Sequence, residues 1–106
     1  MDIGSVDTEL ERKYEQLEVA LDDLSSASLD AAKTAVVAER VYDVALVSYD
    51  TGTAPEKQSR ARIAAYEHRL EAEVAKAAER HARTTISVIQ SQVDILRTMS
   101  ASYRKV

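Results

Sequence analysis

Apolar side chains recur at helical spacing through the first half of the chain. Twelve positions follow one another at alternating steps of four and three residues, and only one of them is polar. They are Leu10, Tyr14, Leu17, Leu21, Leu24, Ser28, Ala31, Ala35, Ala38, Tyr42, Ala45 and Tyr49. A heptad pattern of this length predicts a helix with coiled-coil-like packing over about residues 8–50. Thr8 followed by Glu11 predicts a capping box at its start.

This pattern is interrupted at two places. At residues 25–28, three serines can compete for backbone hydrogen bonds, which predicts a kink or a short break. At Gly52 we expect a full stop, because glycine readily adopts the left-handed conformation that closes a helix. Thr53 and Glu56 then fit a capping box, and Pro55 lies in the first turn, where its missing N–H costs nothing. One helix therefore ends here and another begins.

The second half of the chain predicts a helix over residues 54–103, which contains neither Gly nor Pro beyond its first turn. Its apolar residues form two stripes. The first stripe consists of Ile63, Tyr66, Leu70, Val74, Ala77, His81, Thr84, Val88, Ile95 and Met99. The second stripe consists of Ala75, Ala78, Ala82, Ile86, Ile89, Val93 and Leu96. Two such helices joined by a short turn predict an all-α fold, a long antiparallel helical hairpin.

Both helices offer a second apolar face, although a lone hairpin buries only one seam on each helix. In the first helix this second face includes several valines between residues 36 and 47. Exposed apolar surface of this extent usually marks an interface, so we expect self-association into a four-helix or larger bundle. The expected self-association residues are Val37, Val41, Val44, Ile86, Ile89, Val93 and Leu96. The alternative is a monomer that folds back on itself, broken near residues 25–28 and near Thr84 and Thr85.

The composition narrows the class of protein. A length of 106 residues leaves room for a single all-helical domain, residues 1–106, with a modest core. The absence of Cys excludes disulfides, thiolate metal ligands and Cys nucleophiles. We see neither a signal-peptide pattern nor an apolar run near the ~20 residues of a membrane span. A cytoplasmic location without membrane contact is therefore expected, in the host cytoplasm if the protein is viral.

Charge is distributed unevenly between the two halves. Residues 1–54 contain 12 acidic and 4 basic side chains, a balance of −8, whereas residues 55–106 contain 6 and 10, a balance of +4. The second helix contains a basic line made of Arg62, Arg69, Lys76, Arg80 and Arg83. This line and the acidic residues of the first helix do not match each other within one hairpin. They therefore meet between subunits, or the basic line binds an anionic ligand such as nucleic acid or a nucleotide.

No arrangement of reactive side chains indicates catalysis. His68 and His81 do not have the spacing of helical metal ligands, and His81 is expected to be a hydrogen-bonded core residue. Glu71 and Glu73 lie on different helix faces, which argues against acid–base chemistry. Two glycines cannot form a phosphate-binding loop. We therefore expect no enzymatic activity, no bound metal and no cofactor.

From Ala38 onward the chain resembles small helical proteins encoded by bacteriophages of Gram-positive bacteria. The resemblance lies in Ala38-Glu39-Arg40-Val41-Tyr42-Asp43, in Ser59-Arg60-Ala61-Arg62, and in the ending Gln92-Val93-Asp94-Ile95-Leu96-Arg97-Thr98. It implies a small phage protein that binds and redirects a host or phage machine. The all-helical design with basic helix positions is also similar to phage anti-defence proteins that oligomerise and sequester cyclic nucleotides, a similarity of architecture only.

Two functional hypotheses follow. The leading one is a non-enzymatic, homo-oligomeric interaction protein whose partners are other copies of itself and another protein. The alternative is the binding of an anionic ligand, nucleic acid or a cyclic nucleotide, through the basic line. Such a protein would act against a host defence or as an accessory in recombination or replication.

Overall fold

The computed structural model describes residues 2–105 and contains two helices, α1 (Ile3–Ser48) and α2 (Ala54–Arg104). No strand occurs among these residues. The two helices pack against each other as a hairpin, which confirms the predicted all-α fold. The bounds of α2 agree with the predicted 54–103 to within one residue at its end.

The start of α1 differs from its prediction, because a different residue caps it. The helix begins at Ile3, and the Asp2 carboxylate accepts a hydrogen bond from the Ser5 backbone N–H at 2.8 Å. An aspartate before the first helical residue satisfies one of the free N–H groups of the first turn. The capping box predicted at Thr8 and Glu11 is wrong, since Thr8 lies inside the helix and its hydroxyl donates to the Gly4 carbonyl at 2.9 Å.

The serines at residues 25–28 do not interrupt α1. The helix runs through this segment and ends at Ser48, so the prediction of a short break is wrong, and the alternative of a kink stays a prediction. Serine competes for backbone hydrogen bonds only weakly when the helix on either side already fixes the backbone. Packing of the flanking turns therefore outweighs the local preference of the serines.

The turn between the helices forms as predicted. Gly52 has a φ of 106°, in the left-handed region that a side chain disfavours. The backbone N–H of Thr53 donates to the Glu56 carboxylate at 3.3 Å, and the Glu56 N–H donates to the Thr53 hydroxyl at 3.3 Å. This reciprocal pair is a capping box, and the side chain of Arg60 adds a hydrogen bond to the Thr51 carbonyl at 3.0 Å.

The chain divides into two compact units, each built from part of both helices. Unit 1 combines the residues up to Ser25 with those from Arg80 onward, and unit 2 comprises residues 26–79. The boundary crosses the helices and does not fall in a linker. The prediction of a single domain over residues 1–106 stays a prediction.

Unit 1 has a core of large aliphatic side chains. Ala20 of α1 packs with Ile86, Ile89 and Val93 of α2, all of them buried. The partly buried residues Leu10, Leu17 and Leu24 pack against this cluster. At the far end of the unit, the Ser100 hydroxyl donates to the Asp7 carboxylate at 3.3 Å, and Arg104 forms an ion pair with Asp7 at 3.5 Å. These contacts order the two helices as an antiparallel pair.

Unit 2 has a core of alanines instead. Its buried residues are Ala31, Ala38, Ala61, Ala65, Ala72 and Ala75. Beside this narrow core the guanidinium of Arg69 lies 4.7 Å from the centre of the Tyr42 ring, and that of Arg60 lies 5.4 Å from the Tyr49 ring. Alanine side chains allow two helices to approach closely, but they bury little apolar area.

Candidate interaction surfaces

The larger aliphatic side chains of α2 in unit 2 lie on its outside. Ile63 is 77 % exposed, Tyr66 62 %, Leu70 49 % and Val74 64 %. With 3.6 residues per turn, these positions and the exposed Ala77 lie on the side of α2 opposite to its buried alanines. We call these five residues the α2 outer face.

A second outer face lies on α1 in the same unit. It consists of Leu29, Val36, Val37, Val44 and Val47, all of them exposed. Two exposed basic residues, Lys33 and Arg40, lie within the same strip of the helix surface. We call these five apolar residues the α1 outer face.

Unit 2 therefore has small side chains inside and large ones outside. The exposed fractions correspond to roughly 500 Å² of apolar surface on each outer face. The largest apolar patch on a typical monomer measures about 300–600 Å² and is often functional. Each outer face of this single small unit reaches that range.

The predicted self-association residues fall into two groups. Ile86, Ile89, Val93 and Leu96 are buried in unit 1 by α1 of the same chain, so they form no free surface of the hairpin. The prediction that they form a free second face is wrong, because they supply the hairpin's own seam. Val37 and Val44 are exposed on the α1 outer face, and Val41 beside them is half-buried.

The two stripes predicted on α2 have exchanged places. The first stripe, from Ile63 through Val88 to Ile95, is exposed almost throughout and does not face α1. His81 is exposed as well, which corrects its expected place in the core. Alternating steps of four and three connect twelve of the buried and half-buried residues of α2 without a slip. They are Ala61, Ala65, His68, Ala72, Ala75, Glu79, Ala82, Ile86, Ile89, Val93, Leu96 and Ser100.

That unbroken series was the signal available in the sequence for the α2 seam. It was missed because Ala61 and Ala65 are small and because His68 and Glu79 are polar, so the series did not stand out as apolar. The α2 outer face has the larger side chains and so matched a core pattern better.

The basic line is divided between the units, and several of its members already have contacts. Arg69 lies over the Tyr42 ring, and Lys76 forms an ion pair with Glu73 at 3.4 Å. Arg62, Arg69 and Lys76 belong to unit 2, whereas Arg80 and Arg83 belong to unit 1. In unit 2 the three basic residues lie along one flank of the α2 outer face.

The opposite flank of the α2 outer face is acidic. Glu67 and Glu71 lie there and, with Asp30 of α1, line a groove of about 440 Å³. The remaining walls of this groove are Thr34, Leu70, Val74, Ala75 and Ala78. Among the described residues no group of three or more His, Cys, Asp or Glu side chains is placed to hold a metal ion. The groove thus joins an acidic edge to the apolar face beside it.

Unit 1 has a groove of its own between the helices, of about 450 Å³. Val19, Ala20 and Ile89 give it a mostly apolar floor, and Arg12, Glu15, Gln16, Asp23 and Thr85 complete its lining. The ion pair at this end of the unit, between Arg12 and Glu9 at 2.7 Å, lies within α1. The Thr85 hydroxyl in the groove lining donates to the His81 carbonyl at 3.0 Å.

Across residues 2–105, neither helix contains a stretch that is apolar and uncharged enough to cross a membrane. Comparison with protein-family models, with curated proteins and with solved structures found no match to this chain.

Proposed function

We propose that this chain is a non-enzymatic helical interaction protein that acts as a homo-oligomer and binds another protein. The observation that supports this proposal is the inverted distribution of side-chain size in unit 2. Alanines fill the seam, while Ile63, Leu70 and Val74 of α2 and the valines of α1 face outward. Such a protein fits the role implied by the resemblance to small bacteriophage proteins, which is to bind and redirect a larger machine.

The hairpin leaves both outer faces of unit 2 exposed to water. Burial of apolar surface contributes roughly 25 cal/mol per Å², so covering one outer face of about 500 Å² is favourable by on the order of 10 kcal/mol before the costs of association. A chain with no use for these faces would place polar residues there, as surface helices usually do. Helix-to-helix packing of the outer faces in a bundle is the simplest way to cover them.

The first test is the solution mass measured by light scattering over a range of protein concentrations. The proposal predicts an oligomer for the native chain and a smaller species for Leu70→Glu, which places a charge in the centre of the α2 outer face. Gln58→Glu is the matched control, because it adds the same charge at an exposed polar position of α2. A native chain that remains a monomer at every concentration would contradict the proposal.

The alternative, binding of an anionic ligand through the basic line, is tested in the same experiment. Phosphate contacts by Arg62, Arg69 and Lys76 would weaken steeply as salt is raised. Absorbance monitored with the light scattering detects nucleic acid that co-purifies with the protein. Nucleic acid bound at low salt and lost at high salt would favour the alternative, and a null titration with nucleotides at low salt would remove it.

A further inference from the structure

We propose that the α2 outer face binds the same face of a second copy, with the two α2 helices parallel and in register. This inference rests on the proposed homo-oligomer and specifies its contact and its orientation. The face in question consists of Ile63, Tyr66, Leu70, Val74 and Ala77, and its occupant is another α2 helix.

Charge complementarity supports the parallel orientation. Arg62, Arg69 and Lys76 lie on one flank of the α2 outer face, together with Glu73, which pairs with Lys76. Glu67 and Glu71 lie on the other flank. Between two parallel helices with a two-fold axis, the basic flank of each helix meets the acidic flank of its partner.

The antiparallel orientation would bring flanks of the same sign together. The two basic flanks would then meet each other, and so would the two acidic flanks, which is unfavourable. For one pair the spacing also fits the parallel case, because Arg62 and Glu67 are five residues apart. That is the separation of the flanking positions that pair between helices of a parallel coiled coil.

The positions of charged residues favour self-association through the α2 outer face and not through the α1 outer face. On α1, Lys33 and Arg40 lie within the strip itself, so packing a helix there would remove both charges from water. On α2 the charged residues lie at or beyond the edges of the face: Glu67 and Glu73 border it, and the basic residues lie farther around the helix. Arg60, which precedes the face, is held by the Thr51 carbonyl and the Tyr49 ring.

The apolar area of the α2 outer face is consistent with a contact between two parallel α2 helices. Two α2 outer faces supply roughly 1,000 Å² of apolar surface, close to the lower end of the range of about 1,200–2,000 Å² that a specific interface buries.

The test is disulfide cross-linking, for which the chain is suited because it contains no Cys. Ile63→Cys and Ala77→Cys place one thiol near each end of the face, at positions that are exposed in the hairpin. Fourteen residues of helix separate them by about 21 Å, whereas a disulfide needs Cα atoms within about 7 Å. Gln58→Cys is the matched control away from the face.

The proposal predicts that each single-cysteine variant forms a disulfide-linked dimer on mild oxidation, at least tenfold faster than Gln58→Cys. An antiparallel pair centred on Leu70 would instead cross-link only in a mixture of the two variants, and that result would overturn the proposed orientation. If light scattering shows that the variants are oligomers and none of them cross-links, the proposed face is overturned and the proposed function stands. A monomeric mass for the native chain would refute both. Far-UV circular dichroism confirms that each variant is folded.

Discussion

Two neighbouring residues of α2 provide a direct test of which side of the helix faces α1 in unit 1. Ile89 is 7 % exposed and belongs to the core cluster, whereas Val88 is 51 % exposed. Ile89→Ala removes three buried carbons, each worth about 0.8 kcal/mol, and leaves a cavity whose cost adds to that loss. We expect the free energy of unfolding to fall by about 2–4 kcal/mol, a large fraction of the 5–15 kcal/mol typical of a domain.

Val88→Ala is the matched control on the same turn of α2. It removes two carbons that are about half exposed, so the loss of burial is below about 1 kcal/mol. Alanine also has a higher helix propensity than valine, by roughly 0.5 kcal/mol, which offsets part of that loss. The free energy of unfolding should therefore change by less than about 0.5 kcal/mol.

Urea unfolding followed by circular dichroism at 222 nm measures both variants. The measurement is made at several protein concentrations, because association stabilises the native state in a concentration-dependent way. The reasoning predicts a difference of about 2 kcal/mol or more between the two variants. If Val88→Ala were as costly as Ile89→Ala, α2 would be turned with its first stripe toward α1, and the assignment of inner and outer faces would fail.

Three further predictions concern local features. Gly52→Ala should lower the free energy of unfolding by about 1–2 kcal/mol, because Gly52 has a φ of 106° and a Cβ there would lie 2.8 Å from a Glu56 carboxylate oxygen. The control Gly4→Ala in α1 should be neutral or stabilising, and urea unfolding midpoints compare the two variants. The hydrogen bond from the Ser5 N–H holds the pKa of Asp2 below its ordinary value. The cap therefore stabilises the fold at pH values above the unfolded-state pKa, and this stabilisation is lost as pH falls through the lower folded-state pKa. NMR titration of the Asp2 carboxyl measures the direction of the pKa shift, and a raised pKa would contradict the prediction. A double-mutant cycle of Tyr42→Leu with Arg69→Gln should give a coupling of about 0.5–1 kcal/mol, and no coupling would remove the cation–π contact.

The parts of the fold that depend only on residues adjacent in sequence were predictable from the sequence. Gly52, Thr53 and Glu56 define the turn through their own backbone preferences and hydrogen bonds, so the end of one helix and the start of the next could be read directly. The start of α1 was missed for a related reason. A cap at Asp2 and one at Thr8 are both compatible with local rules, and the choice depends on whether the first turn gains tertiary contacts such as the burial of Val6.

The facing of α2 could not be predicted from local rules, because two stripes on one helix satisfy the same period. Which stripe turns inward depends on α1, whose seam in unit 2 is made of alanines such as Ala31 and Ala38. Small side chains along the seam of one helix allow close approach of a second helix whose seam is also made of small side chains. The stripe with Ile63 and Leu70 would hold the helices further apart and leave voids beside the alanines.

Self-association stays a prediction, although Ile86, Ile89, Val93 and Leu96 were assigned to the wrong face. The prediction required each helix to have one more apolar face than a hairpin can bury. That extra face exists whichever stripe of α2 turns toward α1. Unit 1 uses its large side chains internally, through Ile86 and Ile89, and gains a core of its own. Unit 2 buries alanines in its seam and leaves Leu70 and Val36 exposed to water. The proposed contact between copies would cover this exposed apolar surface, which is why we place it in unit 2.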